Sequence, residues 1–220
     1  LPDQEKDDEK KMKKQVSKAV VKRLPRYRRY LEDLKRKGVE RISSSELSEL
    51  IGYTASQIRQ DLNTFGGFGQ QGYGYNVEAL YREISQILGL DSDYKMVIIG
   101  VGNLGHAVAN YTHIYKEGFE IIGLFDVNPK LIGEHVNDLV IKDLDELQDF
   151  LKDNDVEIGI ITTNKSSAQS IADKLVEGGV KGIWNFAPVD LSIPDDVALE
   201  NVHLTDSLHS VAFHIKHKIK

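Results

Sequence analysis

The stretch MVIIGVGNLGHAVANYTHIYKEGFEIIGLFD, residues 96–126, decides how this chain is read. A short apolar run, Met96–Ile99, leads into Gly100-Val101-Gly102-Asn103-Leu104-Gly105. A helical pattern follows to about Lys116, and a second apolar run, Phe119–Phe125, ends at Asp126. Strand, glycine loop, helix, strand and acid, in that order, make up a dinucleotide-binding βαβ unit. Gly100 permits the tight turn, Gly102 lets the backbone approach a pyrophosphate, and Gly105 lets the helix lie close to the strand. The helix N-terminus offers N–H groups and a partial positive charge to phosphate. Asp126 follows Gly105 by 21 residues. A carboxylate there accepts from both ribose hydroxyls and repels a 2′-phosphate, which favours NAD(H) over NADP(H). On these residues alone, a glycine turn without ligand and another adenine nucleotide such as coenzyme A stay open.

Downstream, strands and helices continue to alternate. Asp143–Leu151 reads as a helix with Asp143 and Glu146 as a cap pair, Val156–Thr162 as a strand, Lys165–Glu177 as a helix and Gly182–Phe186 as a strand. Alternation of this kind implies a parallel sheet. A Rossmann-like domain is therefore expected over residues 95–204. The tail, 205–220, reads as an amphipathic helix with Leu208, Val211, Ala212, Ile215 and Ile219 on one face.

Upstream the pattern differs. Residues 1–15 are almost all charged and read as a disordered arm, with Met12 a candidate start. Residues 16–76 carry three helical patterns. The first is expected from Pro25 to Lys37, with Pro25 in the first turn and Tyr27, Tyr30, Leu31 and Leu34 as its apolar stripe, ended by Gly38. The second starts at Ser43, with Glu46 completing a capping box and Leu47, Leu50 and Ile51 facing inward. The third starts at Thr54, with Gln57 completing a second box and Ile58 and Leu62 inward. Only Gly52 and Tyr53 separate these two, which reads as helix-turn-helix. FGGFGQQGYGYN, residues 65–76, then reads as a glycine-rich β-wing, making a winged helix. Val77–Leu88, with Val77, Leu80, Ile84, Ile87 and Leu88 inward, is expected to act as a linker helix over 77–94.

Charge follows the same division. The chain has 220 residues and a net charge of -6, but residues 1–72 hold 16 Lys+Arg against 11 Asp+Glu, a net of +5, and residues 73–220 a net of -11. A basic domain joined to an acidic one implies different partners. In a helix-turn-helix the N-terminal side chains of the third helix meet base edges. Here these are Ser56, Gln57, Arg59 and Gln60; Arg reads guanine and Gln reads adenine. Arg23, Arg26, Arg28, Arg29, Lys35, Arg36 and Arg41 are candidates for phosphates. Ser43, Ser44, Thr54, Gln71 and Tyr73 complete the DNA-facing set.

Several classes are excluded. There is no cysteine, hence no disulfide framework, thiolate zinc site or cysteine nucleophile. No apolar run reaches the ~20 residues of a membrane span, and the charged start is unlike a signal peptide. A cytoplasmic protein is expected. There is no HExxH, GxSxG or GxxxxGK[ST] motif, no histidine stands in a recognisable catalytic pair, and no metal site is expected. Of the histidines, only His203 is a candidate should the chain be an NAD-dependent oxidoreductase with a DNA-binding domain, which is the competing reading.

Taken together, the chain resembles the redox-sensing transcriptional repressors of the Rex family. The resemblance rests on Arg23-Leu24-Pro25…Tyr27, Ser43-Ser44…Glu46-Leu47, Ile58-Arg59-Gln60-Asp61-Leu62…Phe65-Gly66, Gly72-Tyr73-Gly74-Tyr75-Asn76-Val77, the glycine loop, Phe125-Asp126 and Gly182-Ile183-Trp184-Asn185-Phe186-Ala187-Pro188. It implies a homodimer made by exchange of C-terminal helices. It also implies a repressor that holds palindromic double-stranded operator DNA when NADH is scarce and is released by NADH, with NAD⁺ the weaker or opposing ligand. By the same resemblance Thr162, Thr163, Asn185, Phe186, Ala187 and Pro188 face the cofactor. Arg29, Tyr111 and His203 stand where the family makes a state-dependent contact. His203 replaces a usual Asp, Gln70-Gln71 a usual basic pair, and Asn164 a frequent Pro.

Overall fold

The computed structural model describes residues 17–65, 69–70 and 73–218. The expectations for the 1–15 arm, Gln71 and Ile219 lie outside the described residues. The chain divides into two compact units, Leu1–Asp91 and Ser92–Lys220.

The first unit opens with helix α1, Lys18–Arg36. It begins seven residues before the start read from the sequence, and Pro25 lies inside it. Ser17 caps it by accepting the N–H of Val20. Val20, Leu24, Tyr27 and Leu31 form the buried stripe. That run at three- and four-residue spacing outweighs the one backbone donor that Pro25 removes. The helix ends in a Schellman turn. Gly38 takes φ +72°, its N–H reaches the Lys35 carbonyl, and the Val39 N–H reaches Leu34.

Strand β1 (Arg41–Ile42), helix α2 (Ser44–Ile51) and helix α3 (Ala55–Asn63) follow. Strands β2 (Gly69–Gln70) and β3 (Gly74–Asn76) form the wing, and helix α4 spans Val77–Ile87. The three strands form an antiparallel sheet in the order β1-β3-β2. At Gly74 a side chain would put its Cβ 2.6 Å from the Ile42 carbonyl oxygen, so glycine is required there. The helix expected as a linker is part of this unit. Val77, Leu80 and Ile84 of α4 share one core with Leu24, Tyr27, Leu31, Leu47, Ile51, Ile58 and Leu62. Leu50, expected inward, is 46% exposed.

The second unit is a seven-stranded sheet in the order β10-β9-β8-β4-β5-β7-β6. Its strands are β4 (Tyr94–Ile99), β5 (Phe119–Asp126), β6 (His135–Val136), β7 (Leu139–Asp143), β8 (Ile158–Ile161), β9 (Gly182–Asn185) and β10 (Ala198–Asn201). All pair in parallel except β6, an antiparallel edge. The chain reverses direction across the sheet between β4 and β8, the doubly wound arrangement of a Rossmann fold. β4 carries apolar side chains on both faces. Val97 and Ile99 join one core with α7 (Leu147–Asp153) and α8 (Lys165–Glu177). Met96 and Ile98 join the other with α5 (Asn103–Ala109) and α6 (Thr112–Lys116). The helix expected to run on to Lys116 breaks at Asn110-Tyr111. The last helix, α9, spans Leu204–His217 and buries none of its residues. No helix among the described residues is long and apolar enough to cross a membrane.

Candidate nucleotide site and DNA interface

Open α/β sheets hold ligands outside the carboxyl ends of their strands, where the strand order reverses. At that point Gly100–Gly105 leaves β4 and Thr162-Thr163 leaves β8. A cavity of about 370 Å³ lies there. Two of the three loop glycines are dictated by packing. A Cβ on Gly105 would stand 2.0 Å from the Gly100 carbonyl oxygen, and Gly100 itself has φ +92°. Gly102 is different: a Cβ there meets nothing within 4 Å. It is the N-cap of α5, and no side chain caps that helix. This leaves open space and helix N–H groups together, a cradle of the kind that takes phosphate.

Asp126 closes the site at the end of β5 and is 9% exposed. Its Oδ2 accepts the Val101 N–H at 2.6 Å and its Oδ1 accepts the Asn128 N–H at 2.8 Å. Each carboxylate oxygen has a further lone pair for a ribose hydroxyl. Val101, read with the rest of the glycine loop as part of the cofactor site, has its N–H bonded to Asp126 and its side chain buried. Thr162 donates its hydroxyl to the Gly100 carbonyl at 2.6 Å, tying the second loop to the first. Thr163 lines the cavity. Val127, Leu131, Leu144 and Ile171 give it apolar walls suited to a base, and Ser170 and Lys174 give it a polar rim. None of these six was read from the sequence. The signal available was that Val127 directly follows Asp126, and that Ile171 and Lys174 are one turn apart on α8.

The segment Asn185–Pro188 was expected to face the cofactor, but none of its residues lines this cavity. Asn185 is fully buried. Its Nδ2 donates to the Val189 carbonyl at 2.7 Å and to Asn201 Oδ1 at 2.8 Å, and its Oδ1 accepts the Ala187 N–H at 3.0 Å. Both ends of this buried amide are engaged within its own unit, which ties the turn to β10. Ala187 is in the core, and Phe186 packs on Trp184 with ring centroids 4.6 Å apart. Pro188 is exposed.

In the first unit, the capping of α2 follows the sequence. The Ser43 hydroxyl accepts the Glu46 N–H at 3.1 Å and the Glu46 carboxylate accepts the Ser43 N–H at 2.7 Å. That backbone donor holds the Glu46 carboxyl below its ordinary value. The cap of α3 is only half a box. Thr54 accepts the Gln57 N–H, but the Gln57 amide turns instead to Asp61. Ser56, Arg59 and Gln60 are exposed on α3. Arg59 donates to the Ser44 hydroxyl at 2.8 Å across the turn. Tyr73, at the wing, is 70% exposed, and its carbonyl accepts from Arg41 at 3.2 Å.

Many of the cations read as phosphate ligands are already engaged. Arg23 grips both oxygens of the fully buried Asp61, Nε to Oδ2 at 2.6 Å and Nη2 to Oδ1 at 2.7 Å. Arg28 donates to the Ser85 and Tyr81 hydroxyls. Lys35 pairs with Glu78, and Arg36 with Glu32. Arg26 lies over the Tyr53 ring at 5.0 Å and Arg29 near Tyr30 at 5.9 Å, both on the exposed side of α1. Of the three switch positions, Arg29 lies in the first unit, and Tyr111 and His203 lie in the second. Tyr111 is 57% exposed at the start of α6. His203 is the N-cap residue of α9, and its Nε2 is 3.1 Å from Asp190 Oδ1.

Residues 91–189 match a family model described as a CoA binding domain, and residues 15–63 one described as a putative DNA-binding protein N-terminus. The chain is 56% identical over 205 residues to the redox-sensing transcriptional repressor Rex of Clostridium perfringens (strain SM101 / Type A), covering 93% of this chain and 97% of that protein. It is 58% identical over 203 residues to its counterpart in Thermoanaerobacter pseudethanolicus, covering 92% and 91%. Among solved structures, RSP in complex with β-NAD⁺ and operator DNA aligns with a TM-score of 0.88 at 57% identity, covering 92% of this chain and 94% of that one. RSP in complex with β-NADH gives 0.86 at 54%, covering 92% and 95%. With a winged helix in one unit, a dinucleotide crevice in the other, and relatives this similar over nearly the full length, the chain belongs to the Rex family of redox-sensing transcriptional repressors.

Proposed function

We propose that this chain acts in the cytoplasm as a homodimeric repressor that holds palindromic operator DNA and lets go when NADH binds. The observation that carries the cofactor assignment is Asp126, set at the end of β5 beside the open space at Gly102. Its carboxylate suits a ribose with both hydroxyls free. The 2′-phosphate of NADP(H), and equally the 3′-phosphate of coenzyme A, would meet a negative charge there. NADH would lie with its pyrophosphate over Gly102 and the first turn of α5, and its adenine between Val127, Leu131, Leu144 and Ile171. RSP has been crystallised with both redox forms of the dinucleotide and with operator DNA. The DNA face would be built by Ser56, Gln57, Arg59 and Gln60 of α3, with Ser43, Ser44, Thr54 and Tyr73 around them. The dimer would place two such helices about one DNA turn, roughly 34–36 Å, apart.

NADH need only prefer one state of the dimer. Moving a population from 1:99 to 99:1 takes about 5.5 kcal/mol of differential binding, which two sites can share. Oxidised nicotinamide carries one more positive charge, and a ring buried without a carboxylate partner favours the neutral, reduced form. At the position where the family usually has an Asp, this chain has His203, whose Nε2 is 3.1 Å from Asp190 Oδ1, so Asp190 would supply the acid of the switch.

Operator binding at fixed salt, with and without NADH, NAD⁺ and NADPH, tests this. Release by NADH alone supports it. Operator binding indifferent to all three removes the redox role and leaves a DNA-binding protein with another ligand.

A further inference from the structure

Gln57 is the third residue of α3, in the turn that a helix-turn-helix presents to base edges. Its amide is not free to turn. Nε2 donates to Asp61 Oδ1 at 2.8 Å. A carboxylate only accepts, so the NH2 end of the amide, and not its carbonyl, faces Asp61. Asp61 cannot swing away either. It is fully buried, Arg23 takes both of its oxygens, and the Tyr27 hydroxyl donates to Oδ2 at 2.6 Å. Burial pushes its pKa up, but the hydrogen bonds from Arg23, Tyr27 and Gln57 together outweigh this and hold it below the ordinary value. The carboxylate therefore stays charged. Arg23 and Tyr27 both come from α1, and Tyr27 is itself in the core, so the reference frame for the Gln57 amide is the core of the unit.

We propose that Asp61 is a positioning residue for base recognition, which holds the NH2 end of Gln57 so that the amide oxygen and the second N–H form one edge of fixed sense. Such an edge matches the N6 donor and N7 acceptor of adenine in the major groove. It opposes guanine, which offers acceptors at both places. An amide free to turn over would offer its NH2 to guanine O6 and blur the choice. The inference rests on the first unit being a sequence-specific DNA-binding helix-turn-helix.

The test begins with wild-type protein selecting its operator from a palindromic DNA pool randomised in both half-sites. Gln57→Leu and Asp61→Asn are then bound, at fixed salt, to that operator and to each of its single-base variants. An asparagine offers both a donor and an acceptor, so the Gln57 amide can reverse. The preference for one base pair in each half-site should fall about tenfold or more, the worth of a bidentate base contact, at the same position in both variants. The salt dependence, which counts phosphate contacts, should not change. Uniform weakening across all DNA variants, or losses at different positions, would show Asp61 to be merely structural and overturn the proposal. Should Asp61→Asn fail to fold, Arg23→Lys replaces it. Lysine keeps the cation but cannot grip both oxygens in one plane, and it must relax that same position or the proposal falls. Wild-type protein that selects no sequence from the pool would overturn the DNA-binding reading itself, an outcome distinct from the others.

Discussion

The carboxylate of Asp126 accepts the backbone N–H of Val101 at 2.6 Å, across 25 residues of sequence. The acid proposed to hold a ribose thus also shapes the glycine loop proposed for the pyrophosphate. Asp126→Ala therefore removes two things at once. A hydrogen bond to a charged group is worth roughly 1.5–3 kcal/mol, so NADH affinity measured by calorimetry should fall at least about tenfold. Asp126→Asn keeps an oxygen for one of the two backbone donors and should retain more of the fold's stability than Asp126→Ala. It should also discriminate less against NADPH. Unchanged selectivity in that variant would contradict the ribose role.

Gly102 and Gly105 should separate ligand binding from stability. Gly105→Ala forces a Cβ to within 2.0 Å of the Gly100 carbonyl oxygen. Overpacking of this kind costs roughly 1–3 kcal/mol, and a thermal melt should show it. Gly102→Ala meets nothing within 4 Å and has an ordinary negative φ of -70°. It should melt like wild type yet lose NADH, because its methyl group enters the space left for the pyrophosphate. Equal loss of stability in both variants would contradict this assignment.

Acid should loosen the first unit through Asp61. Its folded pKa lies below its ordinary value of 3.8. A depressed carboxylate contributes stability that is present above the unfolded pKa and is lost as pH falls through the folded one. Urea midpoints should therefore owe nothing to this group's titration above about pH 5 and should fall as the pH drops below the ordinary carboxylate range. Asp61→Asn should flatten that slope. At neutral pH it should also cost roughly 3–5 kcal/mol, because Arg23 is left half-buried without its charge partner.

The outer face of α9 should govern assembly. Leu204, Leu208, Val211 and Ile215 recur at helical spacing and are 58%, 64%, 53% and 74% exposed. None supports the core of its own chain. Leu208→Glu should therefore leave the circular dichroism spectrum unchanged while sedimentation shifts from dimer to monomer. A dimer unaffected by this charge would place the interface elsewhere.

The elements that the sequence made legible are those with strong local signals. The β4–loop–α5–β5 unit has an apolar run, glycines and a terminal acid. Helix α8 is read to its true ends because Asn164 caps it and its apolar residues are regular. The start of α1 was misplaced because Pro25 suits a first turn, and only the tertiary packing of Val20 and Leu24 shows the helix running through it. Strands β7 and β10 were not read. β10 lies at the sheet edge with no buried residue, and so carries no apolar run. Charges were the least legible feature. Arg23, Arg28 and Lys35 look like phosphate ligands in a list of cations, but their partners Asp61, Tyr81, Ser85 and Glu78 lie 38 to 57 residues away, beyond any local pattern. The six cavity residues were missed for a related reason: they converge from three separate segments.

One side chain has mechanical consequences beyond its own burial. Asn185 holds the turn at Ala187 and Val189, and it also holds Asn201 at the end of β10, while its backbone carbonyl accepts the N–H of Val202. Helix α9 begins two residues later, at Leu204. The turn and the root of α9 thus hang from a single peg, with almost no slack between them. A displacement of the turn has little chain in which to dissipate before it reaches the helix.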